Sequence, residues 1–283
     1  MANKPPIKAA NKPPVKAPGK PAGKAAVPDV VKFHRLRRFN LIMGALHLIQ
    51  GILMLVLSSA FALPVYSSFL VFNASTQKLV PTPEIMFNLR LGPMMTAFLF
   101  LSAIAHFLIS APGIYPWYVR NLKEHINKAR WIEYSFSSSL MIVAIAMLVG
   151  IYDIGALVLM VFVNASMILF GWMMELHNQT TKKTNWTSFV FGCIAGIAPW
   201  IAIAIYLFGS ASGGAQGPPA FVYWIFFSLF VFFNVFAVNQ VLQYKKVGRW
   251  RDYLYGERAY IILSLVAKSL LAWQVFAGTL RPM

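Results

Sequence analysis

The chain has 283 residues, of which 58% are hydrophobic and only 12% are charged, and its formal net charge is +17. Soluble domains typically carry about 25% charged residues, so this composition excludes an ordinary soluble globular protein. The single cysteine, Cys193, excludes an intramolecular disulfide framework.

Residues 1–32 are rich in lysine and proline and contain no apolar stretch, which predicts a disordered tail rather than a secretory signal peptide. A lysine stands at every fourth position from Lys4 to Lys24. Two interpretations of this tail stay open. It lies on anionic lipid, which favours binding by about 1 kcal/mol per basic residue near the surface, or it is a solvated tail that only enforces the topology.

Residues 33–283 are predicted to form one all-α membrane domain, a bundle of seven transmembrane helices. Seven apolar segments approach or exceed the roughly 20 residues that a helix needs to cross a bilayer. They are 39–60, 86–111, 131–151, 154–174, 186–209, 219–243 and 259–280. Their length, and the absence of alternating apolar and polar residues, favour helices over the strands of a β-barrel.

The connection 61–84, between the first and second segments, predicts an extracellular β-hairpin. Its β-branched and aromatic residues flank the polar sequence Asn73-Ala-Ser75, as in two strands joined by a turn. These three residues also match a glycosylation acceptor. That match is unspecific, because Asn164-Ala-Ser166 inside an apolar segment has the same pattern.

Lysine and arginine are concentrated in residues 1–38 and in the loops after the second, fourth and sixth segments, which together hold 21 of the 25 basic residues. The opposite face has only Lys78, Arg90 and Arg281. The positive-inside rule therefore predicts a multi-pass protein of the cell membrane with a cytoplasmic N-terminus and an extracellular C-terminus. Charges that follow the loops in this way indicate topology and contact with membrane lipid, not binding to nucleic acid.

Lys268 lies about ten residues into the last apolar segment. A charged group at this depth is costly and indicates a function. A desolvated amine of this kind forms a Schiff base with an aldehyde. The alternative is a lysine that is paired with a carboxylate only to orient the helices.

Glu133 is the predicted counterion, because the other seven carboxylates lie in the tail, in loops or at the ends of helices. It stands only a few residues inside the third apolar segment and therefore looks shallower than Lys268. The third helix is accordingly expected to begin upstream, near Tyr118, with Arg130 reaching outward. In this interpretation Glu133 is the one buried carboxylate of the chain.

Several polar and aromatic residues are expected around this pair. Ser264 lies one turn before Lys268 and shares its helix face. His47 and His106, with Asn40 and Gln50, form either a polar cluster that accepts a proton or ordinary interhelical hydrogen bonds. The serines beside Glu133 are Ser135, Ser137, Ser138 and Ser139, and the aromatic residues that either clamp a polyene or simply pack include Trp200, Phe233 and Trp273. The histidines and the cysteine show no metal-ligand spacing, so no metal site is expected.

Four segments of the chain resemble the heliorhodopsins: RWIEYSFSSSLMIV, VNASMILFGW, FGCIAGIAPWI and GERAYIILSLVAKSLLAWQVFAGTL. The resemblance covers about 36–281 and implies all-trans-retinal bound covalently to Lys268, Glu133 as counterion and Ser264 near the Schiff base. It further implies a homodimer with long-lived photoproducts and a polar cavity at His47 and His106 that receives the Schiff-base proton. The pocket positions that it implies are Met167, Trp200 and Phe233.

These observations predict a light sensor that is not an enzyme and that acts on an unknown cytoplasmic signalling partner. A proton pump is not expected, since Ser137 and Ala144 occupy the positions four and eleven residues after Glu133, and Ser264 replaces an acid in the last segment. With one buried carboxylate, a carboxylate relay is missing. The alternatives are a light-gated channel or transporter with the same chromophore, and a retinal-free transporter or receptor with a structural ion pair.

Overall fold

A computed structural model of the chain describes residues 28–212 and 217–280, without the side chains of 211 and 212. The Lys/Pro repeats of the predicted tail and part of the loop before the sixth apolar segment lie outside these residues. The described helices are α1 Asp29–Leu57, α2 Leu91–Ser110, α3 Tyr115–Lys123, α4 Lys128–Leu148, α5 Ile154–His177, α6 Thr187–Ser212, α7 Ala220–Tyr244 and α8 Tyr253–Val275. The strands are β1 Ala62–Asn73 and β2 Lys78–Arg90.

The predicted seven-helix membrane fold is confirmed. Within the described residues, all the helices except α3 are long and apolar enough to cross a membrane, and the last span continues through a π-helical turn, Phe276–Leu280. The side of the membrane on which each end lies stays a prediction. The end of the bundle that carries β1 and β2 is called the hairpin side below, and the opposite end is called the α3 side.

Two membrane helices begin earlier than their apolar segments. Helix α1 begins at Asp29 and buries Phe33 and Leu36, while its basic residues at intervening positions stay outside the core. Helix α8 begins at Tyr253, where the Asp252 side chain accepts a hydrogen bond from the Leu254 backbone N–H at 3.0 Å. Average hydropathy hides such amphipathic first turns, because charged and apolar residues cancel.

The helix that carries Glu133 does not begin near Tyr118, so that prediction is wrong. Tyr118 belongs to the separate amphipathic helix α3, which buries it against α1. The helical path is then interrupted by a turn, in which His125 has a positive φ of 58°. Helix α4 starts after Asn127, whose side chain accepts a hydrogen bond from the Arg130 backbone N–H at 3.0 Å. An asparagine cap of this kind satisfies a free donor of the first turn and fixes the start of a helix.

The predicted hairpin is confirmed between α1 and α2. Strands β1 and β2 pair antiparallel from Ala62 with Arg90 to Asn73 with Lys78, with one register shift between Val65 and Tyr66. The Tyr66 backbone N–H donates to the Tyr152 carbonyl at 3.1 Å, which attaches the hairpin to the turn between α4 and α5. The hairpin therefore lies over one end of the bundle.

The core has an apolar half and a polar half. On the hairpin side it is filled by apolar side chains from α1, α2, α4 and α8: Met54, Met95, Phe98, Ile142, Ile145, Met147, Leu271 and Val275. Towards the α3 side the buried residues include polar and charged groups: Asn40, His47, Ser102, His106, Arg130, Glu175, Glu257 and Lys268. Lys268 lies where these two halves meet.

Candidate functional site

The structure brings Lys268 and Glu133 into contact. The Lys268 Nζ lies 2.7 Å from Glu133 Oε1, and the Lys268 side chain is almost fully buried. The two residues come from α8 and α4, which cross the bundle in the same direction. Since side chains on a helix lean towards its N-terminus, the long lysine side chain reaches back to the level of Glu133. The apparent difference in depth therefore does not separate the pair.

Ser102 of α2 completes this ion pair and was not predicted from the sequence. The Lys268 ammonium donates to Ser102 Oγ at 2.5 Å, and the Ser102 hydroxyl donates to Glu133 Oε1 at 2.7 Å. Lys268 thus has two acceptors, supplied by α2 and α4. A weak signal existed, because Ser102 lies one turn before His106 and shares its face of the second apolar segment.

The predicted serines have different surroundings. Ser264 is buried and lines the cavities beside Lys268, and Ser137 is also buried there. Ser138 and Ser139 instead accept hydrogen bonds from the Asn164 amide of α5, at 2.8 and 3.1 Å. Ser135 is only partly buried and donates to the Ile132 carbonyl of its own helix. Only part of this serine-rich stretch therefore faces the ion pair.

Three of the four residues predicted for the polar cluster lie together. The His106 Nδ1 is 2.8 Å from Asn40 Oδ1, which as an acceptor places a proton on that nitrogen. The His47 ring is stacked on the His106 ring, with 5.7 Å between their centroids. Both ring nitrogens of the fully buried His47 lack a hydrogen-bond partner among the described residues.

Gln50, the fourth residue of the predicted cluster, has a different environment. Its Oε1 accepts a hydrogen bond from the Trp273 indole N–H at 3.0 Å. This bond turns Gln50 towards α8 and away from the two imidazoles. Trp273, one of the aromatic residues that the sequence offered as a polyene clamp, is anchored by the same bond.

A largely apolar cavity of about 180 Å³ extends from Lys268 between α4, α5, α6 and α7. The predicted pocket residues Met167, Trp200 and Phe233 all line it. The Trp200 ring packs edge-on against the Phe230 and Phe233 rings, at centroid distances of 5.3 and 5.4 Å. An apolar, aromatic cavity that ends at an amine suits a polyene aldehyde, so these residues fit a retinal chromophore.

Glycines make room in this cavity. A Cβ at Gly171 of α5 would stand 2.5 Å from the Trp131 ring, and one at Gly196 of α6 would stand 2.4 Å from Met167 Sδ. Side chains at these two positions would displace residues that line the cavity. The small residues therefore set its shape on the α5 and α6 walls.

Arg130 does not reach outward, and Glu133 is not the one buried carboxylate, so both of these predictions are wrong. Arg130 is buried and pairs with Glu175 of α5, Nη2 to Oε1 at 2.5 Å, and with Glu257 of α8. Only 2% of Glu175 and none of Glu257 is exposed. The break before α4 explains the error, because it begins a new helix whose first turn points Arg130 into the bundle.

The carboxylates of this buried cluster, Glu175 and Glu257, also accept hydrogen bonds from other side chains. The Trp131 indole N–H donates to Glu175 Oε2 at 2.6 Å, and the Asn127 side chain donates to Glu257 Oε2 at 2.6 Å. The Arg130 guanidinium also lies over the Tyr260 ring, 3.9 Å from its centroid. A buried guanidinium with two hydrogen-bonded carboxylates satisfies the condition under which buried charges persist.

A polar cavity of about 40 Å³ connects the two ion clusters. Its lining contains Glu133 and Ser102 from one cluster, Arg130 from the other, and Asn40 and His106 between them. The volume exceeds the roughly 15 Å³ that an ordered water needs, and polar partners surround it. The arrangement can therefore hold a proton or a hydrated path on the α3 side of Lys268.

The family model described as Heliorhodopsin matches residues 36–280, which span the seven membrane helices and both buried ion clusters. The comparison with curated proteins gives no match. The family match covers far more than half of the chain and includes Lys268, Glu133 and the residues of the apolar cavity. The chain therefore belongs to the heliorhodopsin family of retinal-binding, light-sensing membrane proteins.

Proposed function

We propose that this heliorhodopsin senses light with all-trans-retinal bound to Lys268 as a protonated Schiff base and Glu133 as its counterion. The observation that carries the proposal is the 2.7 Å contact between Lys268 and Glu133 at the end of the apolar cavity. The family is one of photoreceptors rather than classical enzymes. The proposal includes a cytoplasmic N-terminus, a homodimer and a cytoplasmic signalling partner.

Bound retinal would supply absorption of visible light and a light-driven change at the Lys268 nitrogen. Glu133 and Ser102 hold the proton at that nitrogen, since a buried cation needs a carboxylate and satisfied hydrogen bonds. Trp200, Phe233 and Met167 would confine the polyene, because they line the same cavity. Ser264, one turn before Lys268, keeps the site polar without adding a second carboxylate.

A proton that leaves Lys268 has a destination within the described residues. Asn40, His47 and His106 form a polar cluster next to Ser102 and Glu133, and a neutral imidazole has one ring nitrogen that can accept a proton. Gln50 is left out of this role, because it is bonded to Trp273. The cluster and the polar cavity lie on the α3 side, so the proton would move towards the cytoplasmic half of the bundle.

Transport of protons across the bilayer is not part of the proposal. Glu175 and Glu257 are paired with Arg130, which removes them as free members of a relay. The hairpin half of the core consists of apolar side chains, among them Met95, Ile145 and Val275, and the buried carboxylates of the described residues, Glu175 and Glu257, lie on the α3 side. Proton transport is therefore not expected, because Glu175 and Glu257 are held by Arg130 and not because Glu133 is the one buried carboxylate.

The ion pair of Glu133 lies close to the Arg130 ion pairs on the α3 side. Arg130 lies one turn before Glu133 on α4, so a change of charge at Glu133 acts directly on the Arg130 pairs. Those pairs join the end of α5 to the beginning of α8. We propose that a long-lived rearrangement of these helix ends is recognised at the basic cytoplasmic loops.

A light-gated channel or transporter is the second candidate, and the polar cavity of about 40 Å³ favours it. The apolar hairpin half of the core opposes it. The two candidates differ in one measurement, the current in a voltage-clamped cell under illumination. The sensor predicts no light-evoked current, and a current would replace the sensor by the channel.

The chromophore itself is tested by adding all-trans-retinal to the expressed protein and recording the visible spectrum. We expect an absorption band in the wild type and in Lys182→Ala, a control in an exposed loop, and no band in Lys268→Ala. An unchanged band in Lys268→Ala, or no band in the wild type, would overturn retinal binding at Lys268. A retinal-free receptor or transporter would then be the remaining interpretation.

A further inference from the structure

The apolar cavity reaches the surface of the bundle between α6 and α7. Cys193 and Ile197 of α6 and Asn234 of α7 line the cavity, and all three are exposed. Lys268 of α8 lines the same cavity, and α8 packs on α7, so the cavity runs from Lys268 past α7 to this opening. A polyene attached at Lys268 therefore points its ring end towards the opening.

Asn234 is an amide near the middle of α7, where the neighbouring residues are mostly apolar and aromatic. Its Nδ2 donates to the Phe230 carbonyl at 2.8 Å. Its Oδ1 has no hydrogen-bond partner among the residues that the structure describes. A helix can satisfy the amide donors of such a side chain through a free lone pair of a backbone carbonyl, but it has no spare N–H for the amide oxygen.

A hydrogen-bond acceptor at membrane depth is costly unless a donor meets it. The opening is otherwise lined by the apolar Ile197 and by Cys193, whose thiol is a weak donor. The ligand that would satisfy the Asn234 Oδ1 acceptor is therefore an apolar molecule that carries a hydroxyl group at the end far from Lys268.

We propose that Asn234 determines specificity for the ring end of the chromophore, with its Oδ1 accepting a hydrogen bond from a hydroxyl group on the ring, so that the site prefers a ring-hydroxylated retinal to retinal itself. This inference rests on the proposed function, which places retinal on Lys268. The preference is about fivefold in binding, the effect of one net hydrogen bond.

The test is a competition. Full-length protein in membranes is given equal amounts of all-trans-retinal and all-trans-3-hydroxyretinal at limiting protein, and the bound chromophores are extracted and quantified. We expect the wild type to bind about five times as much of the hydroxylated form as of retinal. Asn234→Leu is expected to bind equal amounts of the two. Ser228→Ala, a control on the same helix outside the cavity lining, keeps the wild-type ratio.

A second variant guards against a folding defect. Asn234→Ser keeps an acceptor oxygen and is expected to retain part of the preference. Equal binding of the two aldehydes by the wild type, or an unchanged preference in a folded Asn234→Leu, overturns the inference. If Asn234→Leu changes the oligomeric state but keeps the preference, Asn234 is a contact between copies of the chain. That result also overturns the inference. Failure of both aldehydes to form a pigment removes the proposed function itself, which distinguishes the two failures.

Discussion

Ser102 lies between the charges of the proposed chromophore site, with its Oγ 2.5 Å from Lys268 Nζ. The same hydroxyl donates to Glu133 Oε1 at 2.7 Å, so one serine of α2 contacts both members of the ion pair. Hydrogen bonds to charged groups are worth about 1.5–3 kcal/mol. Ser102 therefore stabilises the charged form of the pair against the neutral form.

Replacing Ser102 with alanine is expected to make the visible band disappear at a lower pH than in the wild type. A protonated Schiff base has one N–H, which Ser102 and Glu133 share as acceptors, so without Ser102 less alkali is needed to remove that proton, and the midpoint falls by about one pH unit or more. The measurement is a spectrophotometric titration of the retinal-loaded protein. Ser135→Ala, which removes a hydroxyl of α4 that donates to the Ile132 carbonyl and not to the ion pair, should titrate like the wild type. An unchanged midpoint in Ser102→Ala would contradict the assigned contacts.

Replacing Glu133 with glutamine is expected to shift the visible band to longer wavelength. The carboxylate stabilises the positive charge at the Lys268 end of the chromophore, and its loss lets that charge spread along the polyene. Absorption spectra of Glu133→Gln and Glu133→Asp measure this directly, since aspartate keeps the charge. The exposed Glu84→Gln is the control. A band at the wild-type position in Glu133→Gln would reject Glu133 as the counterion.

Replacing Gly171 with alanine is expected to lower the thermal stability of the protein. The new Cβ would stand 2.5 Å from the Trp131 ring, whose indole N–H holds Glu175. Overpacking of this kind costs about 1–3 kcal/mol. Gly113→Ala is the matched control, because a Cβ there meets no atom within 4 Å. Equal melting temperatures for the two variants would contradict the packing around Trp131.

Replacing Arg130 with glutamine is expected to destabilise the protein strongly. Glu175 and Glu257 would then be two buried carboxylates without their cation, a loss on the order of 3–5 kcal/mol. The yield of folded protein in detergent and its melting temperature report the effect. Arg120→Gln, at an exposed position of α3, should behave like the wild type. A stable, folded Arg130→Gln protein would show that the cluster contributes little.

The sequence was sufficient for the fold and for the central ion pair. Seven long apolar segments, with basic residues concentrated in alternate loops, predict the seven-helix fold. A lysine deep inside one of these segments can be recognised from the sequence alone. Lys268 and Glu133 were found because charges are rare at such positions. Their contact follows from two helices that cross in the same direction.

The second ion cluster was missed for a physical reason. Glu175 and Glu257 stand near the ends of apolar segments, where charged side chains usually reach water. Their burial depends on the break at His125 and on the cap at Asn127, which direct Arg130 inward. Ser102 was missed because a serine in an apolar helix usually bonds its own backbone. Such tertiary contacts leave little trace in composition or periodicity.

The central claim is that retinal is attached at Lys268, and the most direct test locates the attachment by mass. The retinal-loaded protein is reduced with borohydride, digested, and its peptides are analysed by mass spectrometry. We expect the retinyl group on the peptide that contains Lys268. A retinyl group on another lysine, such as Lys245 or Lys246, or on none, would contradict the proposed chromophore site.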